Sequence, residues 1–410
     1  MNSRPETDHD LLIIGGGLVG ASLARAVSGL GLRIGVVEAR PYDSPAQPSY
    51  DERVLALSWG SRRILQSMGL WGRLESEAEP ILKIHISERG QCGFARFDQR
   101  EEGVEALGYV IPARTLGEVL LGGLDELPDV ELICPARLEG LRVEADRVEA
   151  RLAKGERRVG ARLLVAADGG DSRVRRLLAI PLRESAYGQT AIIANVTPQR
   201  PHQGVAYERF TDSGPLAMLP MTGGRCSLVW TARDSQVEEL LGLDERAFLE
   251  RLQGRFGYRL GPLRKAGQRV AYPLRLGLAK QQTRPRVVLI GNAAHAIHPV
   301  SGQGFNLGIR DVAVLADLLS DVSARAADPG GEALLRAYGD WRKGDQQRVV
   351  TITDSLARLF ANPLPPLRLA RNLGLLGLDL TPPLKHRMVR QFMGLSGRLP
   401  RLARGVPLVR

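Results

Sequence analysis

The sequence predicts an α/β fold with an inserted β-rich portion and a helical C-terminal segment. Three observations carry this. An apolar run ends in Gly15-Gly16-Gly17-Leu18-Val19-Gly20 and is followed by a helical pattern and a second apolar run. Two later buried-strand patterns, Leu163–Ala166 and Val287–Ile290, each run into a glycine turn. Between them, residues 188–231 carry alternating apolar residues in strand-length stretches.

The elements follow in order. Leu11-Leu12-Ile13-Ile14 reads as a strand, and Ala21, Ala24, Val27 and Leu30 recur at helical spacing until Gly31. Leu32–Glu38 reads as the second strand. A Pro- and Ser-rich loop (Pro41–Ser49) leads to a helix over Ser58–Met68. Residues 81–112 read as short strands with turns, Leu116–Leu127 as a helix and Val130–Cys134 as a strand. Leu138–Ala166 alternates apolar with charged, as in a meander with one wet face. Strands are expected over Ala191–Val196, Val205–Phe210, Leu216–Met221 and Cys226–Thr231, and a helix over Asp244–Phe256. Long helices are expected across about 305–321 and 332–360. The expected domains are a discontinuous nucleotide-binding domain over 1–183, with 81–107 adding strands to the substrate side, and a β-rich substrate domain over 184–270. Residues 271–360 complete the first domain, and 361–410 form a basic, leucine-rich segment.

Composition sets bounds. The chain has 410 residues, 44% hydrophobic and 25% charged, which supports a sizeable core and excludes wholesale disorder. Three scattered cysteines, Cys92, Cys134 and Cys226, exclude a disulfide scaffold and a zinc knuckle and suit a reducing cytoplasm. No apolar run approaches the ~18 residues of a spanning helix. The net charge of +11 is uneven: residues 361–410 hold nine Arg or Lys against one acid, Asp379. A nearly neutral body with a basic tail is unlike a nucleic-acid-binding protein, so no nucleic-acid partner is expected.

The glycine turn carries the first chemistry. In G15-x-G17-x-x-G20, Gly15 permits the tight turn, Gly17 lets backbone approach a pyrophosphate, and Gly20 lets helix and strand pack closely. The helix N-terminus beyond it offers free N–H groups and a positive dipole end to an anion. Glu38 follows Gly20 by 18 residues, at the end of the second strand, where a carboxylate can hold ribose hydroxyls. This is a Rossmann-like dinucleotide-binding unit.

Two further segments, Leu163 to Arg175 around Asp168-Gly169-Gly170, and Gly291-Asn292-Ala293-Ala294-His295 through His298-Pro299-Val300-Ser301-Gly302-Gln303-Gly304-Phe305-Asn306, complete a set of three. Together they resemble the fingerprints of the para-hydroxybenzoate hydroxylase-like FAD monooxygenases, over most of residues 8–360. The segment from Glu208-Arg209-Phe210-Thr211 to Val229-Trp230 resembles the 2-polyprenyl-6-methoxyphenol hydroxylases of ubiquinone biosynthesis. The resemblance implies a Rossmann-like FAD-binding domain and aromatic ring hydroxylation with O2 and NADH or NADPH through a flavin C4a-hydroperoxide. It implies that Gly15, Gly17 and Gly20 hold the FAD pyrophosphate, Glu38 the adenosine ribose, and that Arg53 approaches the phosphates. Asp168 and Gly169 contact FAD, Gly291 and Asn292 meet its ribityl and phosphate groups, and Pro299 with Gly302-Gln303-Gly304 lies beside the flavin ring. Leu18, Val19, Ala39, Arg40, Arg114 and Asn306 complete the expected cofactor contacts. Two positions depart from the family pattern: Asn292 stands where Asp is usual, which removes a charge, and Ser301 where Ala or Gly is usual.

Other readings are weighed on the residues. His295-x-x-His298 lacks the Glu and third ligand of a zinc site, so no metal is expected. His298 is the candidate for proton handling, against a loop histidine that merely packs beside the cofactor. Tyr187, Tyr207, Phe210, Met218 and Met221 are candidate pocket walls, although alternation reports burial first. The four tryptophans form no W-x-W-x-I-P pattern, against a flavin halogenase. The rivals are a sister quinone hydroxylase of other regiospecificity, a hydroxylase of small phenols, and a FAD-holding, non-catalytic subunit of a membrane assembly. A polyprenyl substrate, at roughly 0.8 kcal/mol per buried CH2, stays in lipid. The leucines and arginines after Leu364 therefore suggest a cytoplasmic enzyme peripheral to the membrane, with the membrane surface and other ubiquinone-biosynthesis proteins as partners.

Overall fold

The computed structural model describes residues 8–41, 53–153, 157–297, 302–361 and 364–409. The chain opens with β1 (His9–Ile14), α1 (Leu18–Val27) and β2 (Ile34–Val37). Next come β3 (Val54–Ser58), α2 (Trp59–Ser67), β4 (Glu79–Ile81), β5 (Lys83–Glu88), β6 (Phe94–Asp98), α3 (Gln99–Glu102), β7 (Gly108–Pro112) and α4 (Ala113–Leu121). Then follow β8 (Val130–Ile133), β9 (Leu138–Val143), β10 (Val148–Leu152), β11 (Arg158–Ala166) and α5 (Arg173–Leu177). The inserted portion holds β12 (Leu182–Pro198), β13 (Val205–Thr211), β14 (Gly214–Met221), β15 (Arg225–Arg233), α6 (Asp234–Gly242), α7 (Glu245–Phe256), β16 (Leu263–Ala266) and β17 (Val270–Ala279). The chain ends with β18 (Thr283–Arg284), β19 (Val287–Leu289), β20 (His295–Ala296), α8 (Gln303–Ala324), α9 (Glu332–Ala361), α10 (Pro365–Leu380) and α11 (Pro382–Phe392).

The centre of the eight-stranded first sheet is parallel, in the order β19-β11-β1-β2-β8. Its strands are covered on both faces, which is why they read as continuous apolar runs: Leu11, Leu12 and Ile13 are fully buried. On one face, Ala21, Ala24 and Val27 of α1 pack with Val312, Ala313 and Ala316 of α8. Each large side chain so buried contributes about 1.5–3 kcal/mol. β9 and β10 extend this sheet through an antiparallel pairing with β11.

The second sheet has nine strands, in the order β20-β17-β12-β15-β14-β13-β5-β6, with β16 on β12. Period-two alternation gives it two different faces. Ile192, Met218, Leu228 and Trp230 point to one side, where Phe248, Leu252 and Phe256 of α7 cover them. Ala191, Ile193, Ala217, Leu219 and Val229 point to the other side and line a cavity. β5 and β6, within residues 81–107, belong to this sheet through the parallel pairing of β5 with β13.

Several boundaries differ from expectation. α1 ends at Val27 rather than near Gly31, because Gly29 takes φ 81° and donates to Asp129 Oδ2 at 2.7 Å. α4 covers Ala113–Leu121 rather than Leu116–Leu127, because Gly122 leaves the helix and Gly123 takes φ 70°. β12 runs 17 residues, well before Ala191, because β17 pairs with both of its halves across an irregularity between Ala186 and Thr190.

The C-terminal segment is wired into the body. Prolines in the first turns start α10 and α11. Arg371 of α10 pairs with Glu88 of β5 at 2.6 Å, both buried. Lys385 of α11 pairs with Glu101 at 2.7 Å, and Arg401 pairs with Asp317 and Asp321. Several of the nine basic residues expected to form a charged tail are therefore spent inside the fold.

Candidate active site

A cavity of about 1140 Å3 runs from the carboxyl ends of the parallel strands to the open face of the second sheet. This exceeds the roughly 300–1,000 Å3 of a single small-ligand site and suits two molecules end to end. The carboxyl ends of such strands are where a doubly wound sheet takes ligands.

One end is built by the glycine turn. A Cβ on Gly15 would lie 2.5 Å from the Ala167 carbonyl oxygen, and one on Gly20 would overlap the Gly15 carbonyl, so both glycines serve backbone packing. Gly17 differs: a Cβ there meets nothing within 4 Å, and the residue lines the cavity with Leu18 and Val19. The first-turn N–H groups of α1 have no helical partner and are available to an anion. Glu38 ends β2 beside them; its Oε2 accepts from Gly16 N at 2.7 Å and its Oε1 from Arg40 N at 2.9 Å. Each oxygen keeps a further lone pair. Ala39, Arg40, Arg137, Arg173 and Arg176 complete this end and make it cationic. Sequence reading missed Arg137 and Arg176 as lining groups, because nothing local marks them.

The middle is formed by the two later turns. Asp168 Oδ2 caps α5, accepting from Arg173 N at 2.7 Å and Val174 N at 3.1 Å. Its Oδ1 is buried without a hydrogen-bond partner among the described residues, and Asp168 and Gly169 line the cavity. Arg175 ties the two turns together, donating to Gly170 O at 2.6 Å and Ala293 O at 2.9 Å. Asn292 faces the cavity, and Gly291 is anchored from below: its N–H donates to Asp311 Oδ2 at 3.0 Å.

Asp311 on α8 is fully buried and central to a polar cluster. It meets His295 Nε2 at 2.6 Å, Arg342 Nε at 2.7 Å and Gln346 Nε2 at 2.9 Å. Burial alone would push its carboxyl up, but the facing His295 and Arg342 outweigh it and hold it well below the usual range. His295 thus lies in a structural anchor under the Gly291 turn.

The N-terminus of the 22-residue α8 also meets the cavity through Gly302, Gln303 and Gly304. Asn306 holds that turn in place: its amide donates to Ala56 O and Gly302 O, both at 2.7 Å, and accepts from Ser58 N and Ser61 Oγ. Arg53 lines the cavity with its guanidinium 4.8 Å from the Tyr272 ring centroid. Arg114 does not line it and pairs with Glu118 at 2.9 Å. His298 and Pro299 lie outside the described residues.

The far end is apolar. Ile84, Ile86, Phe97, Phe210, Leu219 and Val229 come from the second sheet. Leu356 and Phe360 of α9, Leu375 and Leu378 of α10, and Met388, Val389 and Phe392 of α11 close it. Phe210 stacks on Phe360 at 3.5 Å. Of the expected walls, Phe210 lines the cavity, while Tyr207 borders it but sets its ring against Phe256 of α7, 5.6 Å between centroids. Met218 and Met221 do not line it: the former packs under α7, the latter with Ile81 and Val110. Tyr187 also stays outside, donating to Asp354 at 2.9 Å. One acid interrupts the apolar wall, Glu208 of β13, whose carboxyl burial pushes up to about 7.

A family model described as "FAD binding domain" matches residues 8–353. The ubiquinone hydroxylase UbiL of Rhodospirillum rubrum is 42% identical over 402 residues, 97% of this chain and 93% of its own length. The 3-demethoxyubiquinol 3-hydroxylase of Escherichia coli is 32% identical over 391 residues, 94% of this chain and 98% of its own. Among solved structures, the p-nitrophenol 4-monooxygenase PnpA of Pseudomonas putida matches with a TM-score of 0.78 at 21% identity. That match covers 96% of this chain and 99% of the other, and at this identity it shows the fold.

Proposed function

The chain belongs to the FAD binding domain family, and from that premise we propose that it hydroxylates the aromatic ring of a polyprenyl methoxyphenol in ubiquinone biosynthesis. It is an FAD-dependent aromatic hydroxylase. The observation that carries the substrate reading is the cavity itself, which joins a cationic glycine-turn end to a long apolar end.

The residues fit FAD. Gly17 leaves an open cradle, and the Asp168 Oδ1 acceptor has no protein donor among the described residues. In this reading Gly17 and the first turn of α1 hold the pyrophosphate, Glu38 the ribose, and Arg53 the phosphates. Asp168 and Asn292, which line the cavity, would meet the ribityl chain, with Gly291 shaping the turn behind Asn292. Gly302, Gln303 and Gly304 at the positive end of α8 would meet the flavin ring. Bound FAD supplies the redox chemistry, passing two electrons from reduced nicotinamide to dioxygen so that one oxygen atom reaches the ring. The protein's own part is to position the ring and exclude water, which the apolar walls from α9, α10 and α11 serve.

The C-terminal helices support a peripheral membrane role. Among the described residues no helix is long and apolar enough to cross a membrane. On α10, however, Leu369, Leu373 and Leu380 are 59%, 58% and 78% exposed. At about 100° per residue they fall on one stripe. Leu375 and Leu378 point the opposite way, into the cavity. One helix therefore offers an apolar face to lipid and another to a lipid-derived substrate, with Arg368 exposed on the same helix and Arg387 and Arg390 exposed on α11. Deleting 361–410 would remove cavity walls as well as this surface, so point changes are the cleaner probe. Replacing Leu369, Leu373 and Leu380 by serine should cut binding to anionic vesicles about tenfold while leaving flavin content unchanged. Undiminished vesicle binding would refute the membrane role.

The functional test is deletion of the gene and identification of the quinone precursor that accumulates. A polyprenyl methoxyphenol lacking one ring hydroxyl is expected, and unchanged ubiquinone would overturn the reading. A second reading, attack at another ring carbon, draws support from the Escherichia coli relative, whose name specifies the 3-position. The substitution pattern of the accumulated precursor separates the two.

A further inference from the structure

Glu208 stands out in the cavity wall. Strand β13 sends Ala206, Glu208 and Phe210 to the cavity side. Their register partners on that side are Ile84 and Ile86 of β5, and Ala217 and Pro215 of β14. Leu356 and Phe360 of α9 and Leu375 and Leu378 of α10 also wall this end of the cavity. Glu208 is half-buried and lines the cavity, so its carboxyl is open to whatever occupies that space.

No protein group satisfies it. Among the described residues Glu208 has no hydrogen bond and no ion pair. Apart from Arg275, the other titratable groups of the surrounding elements are engaged or turned away. His85 and Arg209 share the alternation of Tyr207 rather than that of Glu208, and His85 packs on Phe94 and Tyr207. Glu88 is held by Arg371, and Asp354 by Tyr187 and Arg358. On β17, Tyr272 sits under the Arg53 guanidinium, and Arg275 also lines the cavity. Desolvation is the cause that raises the Glu208 carboxyl to about 7, so at neutral pH it is poised between acceptor and acid.

We propose that Glu208 is the group that takes the phenolic proton of the substrate. The inference rests on the ring-hydroxylase reading and adds a residue to it. The phenol O–H bond breaks, its proton goes to a Glu208 carboxylate oxygen, and the electron pair stays on the phenolate oxygen. No oxidant or further reactant enters this step. The electron-rich phenolate is the form that an electrophilic oxygen attacks, and a free phenol, with a pKa of about 10, supplies little of it at neutral pH. The protonated carboxyl can return its proton to the hydroxylated product's phenolate before release, which resets the site.

The test uses the FAD-loaded full-length enzyme with 2-farnesyl-6-methoxyphenol as probe and its O-methyl ether as control. Glu208→Gln keeps size and hydrogen bonding but cannot accept the proton. It should retain flavin content and bind the O-methyl ether as wild type does, while product formation at pH 7 falls about 100-fold. The acidic limb of the wild-type pH–rate profile, centred near pH 7, should disappear with it. Glu208→Asp should restore part of the rate and keep a limb. Product formation in Glu208→Gln within threefold of wild type, or an acidic limb near pH 7 that persists in Glu208→Gln, would overturn the assignment. Failure of wild type itself to hydroxylate any such phenol would instead sink the broader functional reading.

Discussion

Gly17→Val is expected to give a folded protein that has lost FAD. The backbone at Gly17, φ −66° and ψ −172°, is open to any L residue, and a Cβ there meets no atom within 4 Å. The folded apoprotein should therefore melt within about 0.5 kcal/mol of wild type, as changes away from packed groups do. The valine methyls would project into the space before the first turn of α1, where the pyrophosphate is assigned. FAD affinity should fall at least 100-fold, about 2.7 kcal/mol. Flavin-to-protein ratio and fluorescence titration read the affinity, and circular dichroism melting reads the fold. Gly15→Val is the contrasting control. There the Cβ collides with the Ala167 carbonyl at φ 100°, and the fold itself should suffer. Wild-type FAD affinity in Gly17→Val would remove the glycine turn as the phosphate cradle.

Asp311→Ala should be among the most destabilising single changes in the chain. It strips one of two carboxylate partners from Arg342, which is 2% exposed and keeps Asp345 at 2.6 Å, removes the carboxylate facing buried His295, and unhooks the Gly291 N–H. Removing one partner of a buried ion pair costs about 3–5 kcal/mol, and the remaining Asp345 carboxylate keeps the loss toward the lower end of that range. The Gly291 turn should loosen as well, so FAD affinity should fall with stability. The pH dependence has a definite sign. In the folded protein the Asp311 carboxyl ionises well below its unfolded value of about 3.9, so the unfolded state binds more protons in that range. Its contribution is fully present above about pH 4 and fades as the pH falls toward the folded value. The melting-temperature gap between wild type and Asp311→Ala should accordingly stay level from about pH 5 to 8 and narrow below about pH 4. A gap of less than about 1 kcal/mol at neutral pH would show that the cluster does not anchor the turn.

Much of the site was legible because its chemistry is local. Gly15, Gly17, Gly20 and Glu38 follow one another through a single strand–helix–strand unit, and the spacing alone places the carboxylate beside the turn. The Asp168 and Gly291 turns were legible for the same reason, each directly following a buried strand. What escaped depends on contacts between distant segments. The Asp311 cluster joins residues 16 to 35 positions apart across a turn and two helices. Arg371 meets Glu88 from 283 residues away, and only that docking turns a basic, leucine-rich stretch into a cavity wall with an outward apolar stripe. Met218, a candidate wall, packs in the core under α7 instead, because alternation shows that a strand has two faces but not which one meets solvent, core or cavity. Glu208 left one local signal, an acid at the parity of Ala206 and Phe210, yet its meaning needed the walls that other elements supply.

In the proposed function, a cofactor at one end of the cavity serves an aromatic ring at the other. The direct measurement is turnover of the FAD-loaded enzyme with NADH or NADPH, 2-farnesyl-6-methoxyphenol and isotopically labelled dioxygen. One labelled oxygen atom in a new ring hydroxyl for each reduced nicotinamide consumed is the predicted result. Nicotinamide oxidation that yields only hydrogen peroxide, or a ring oxygen drawn from water, would contradict it.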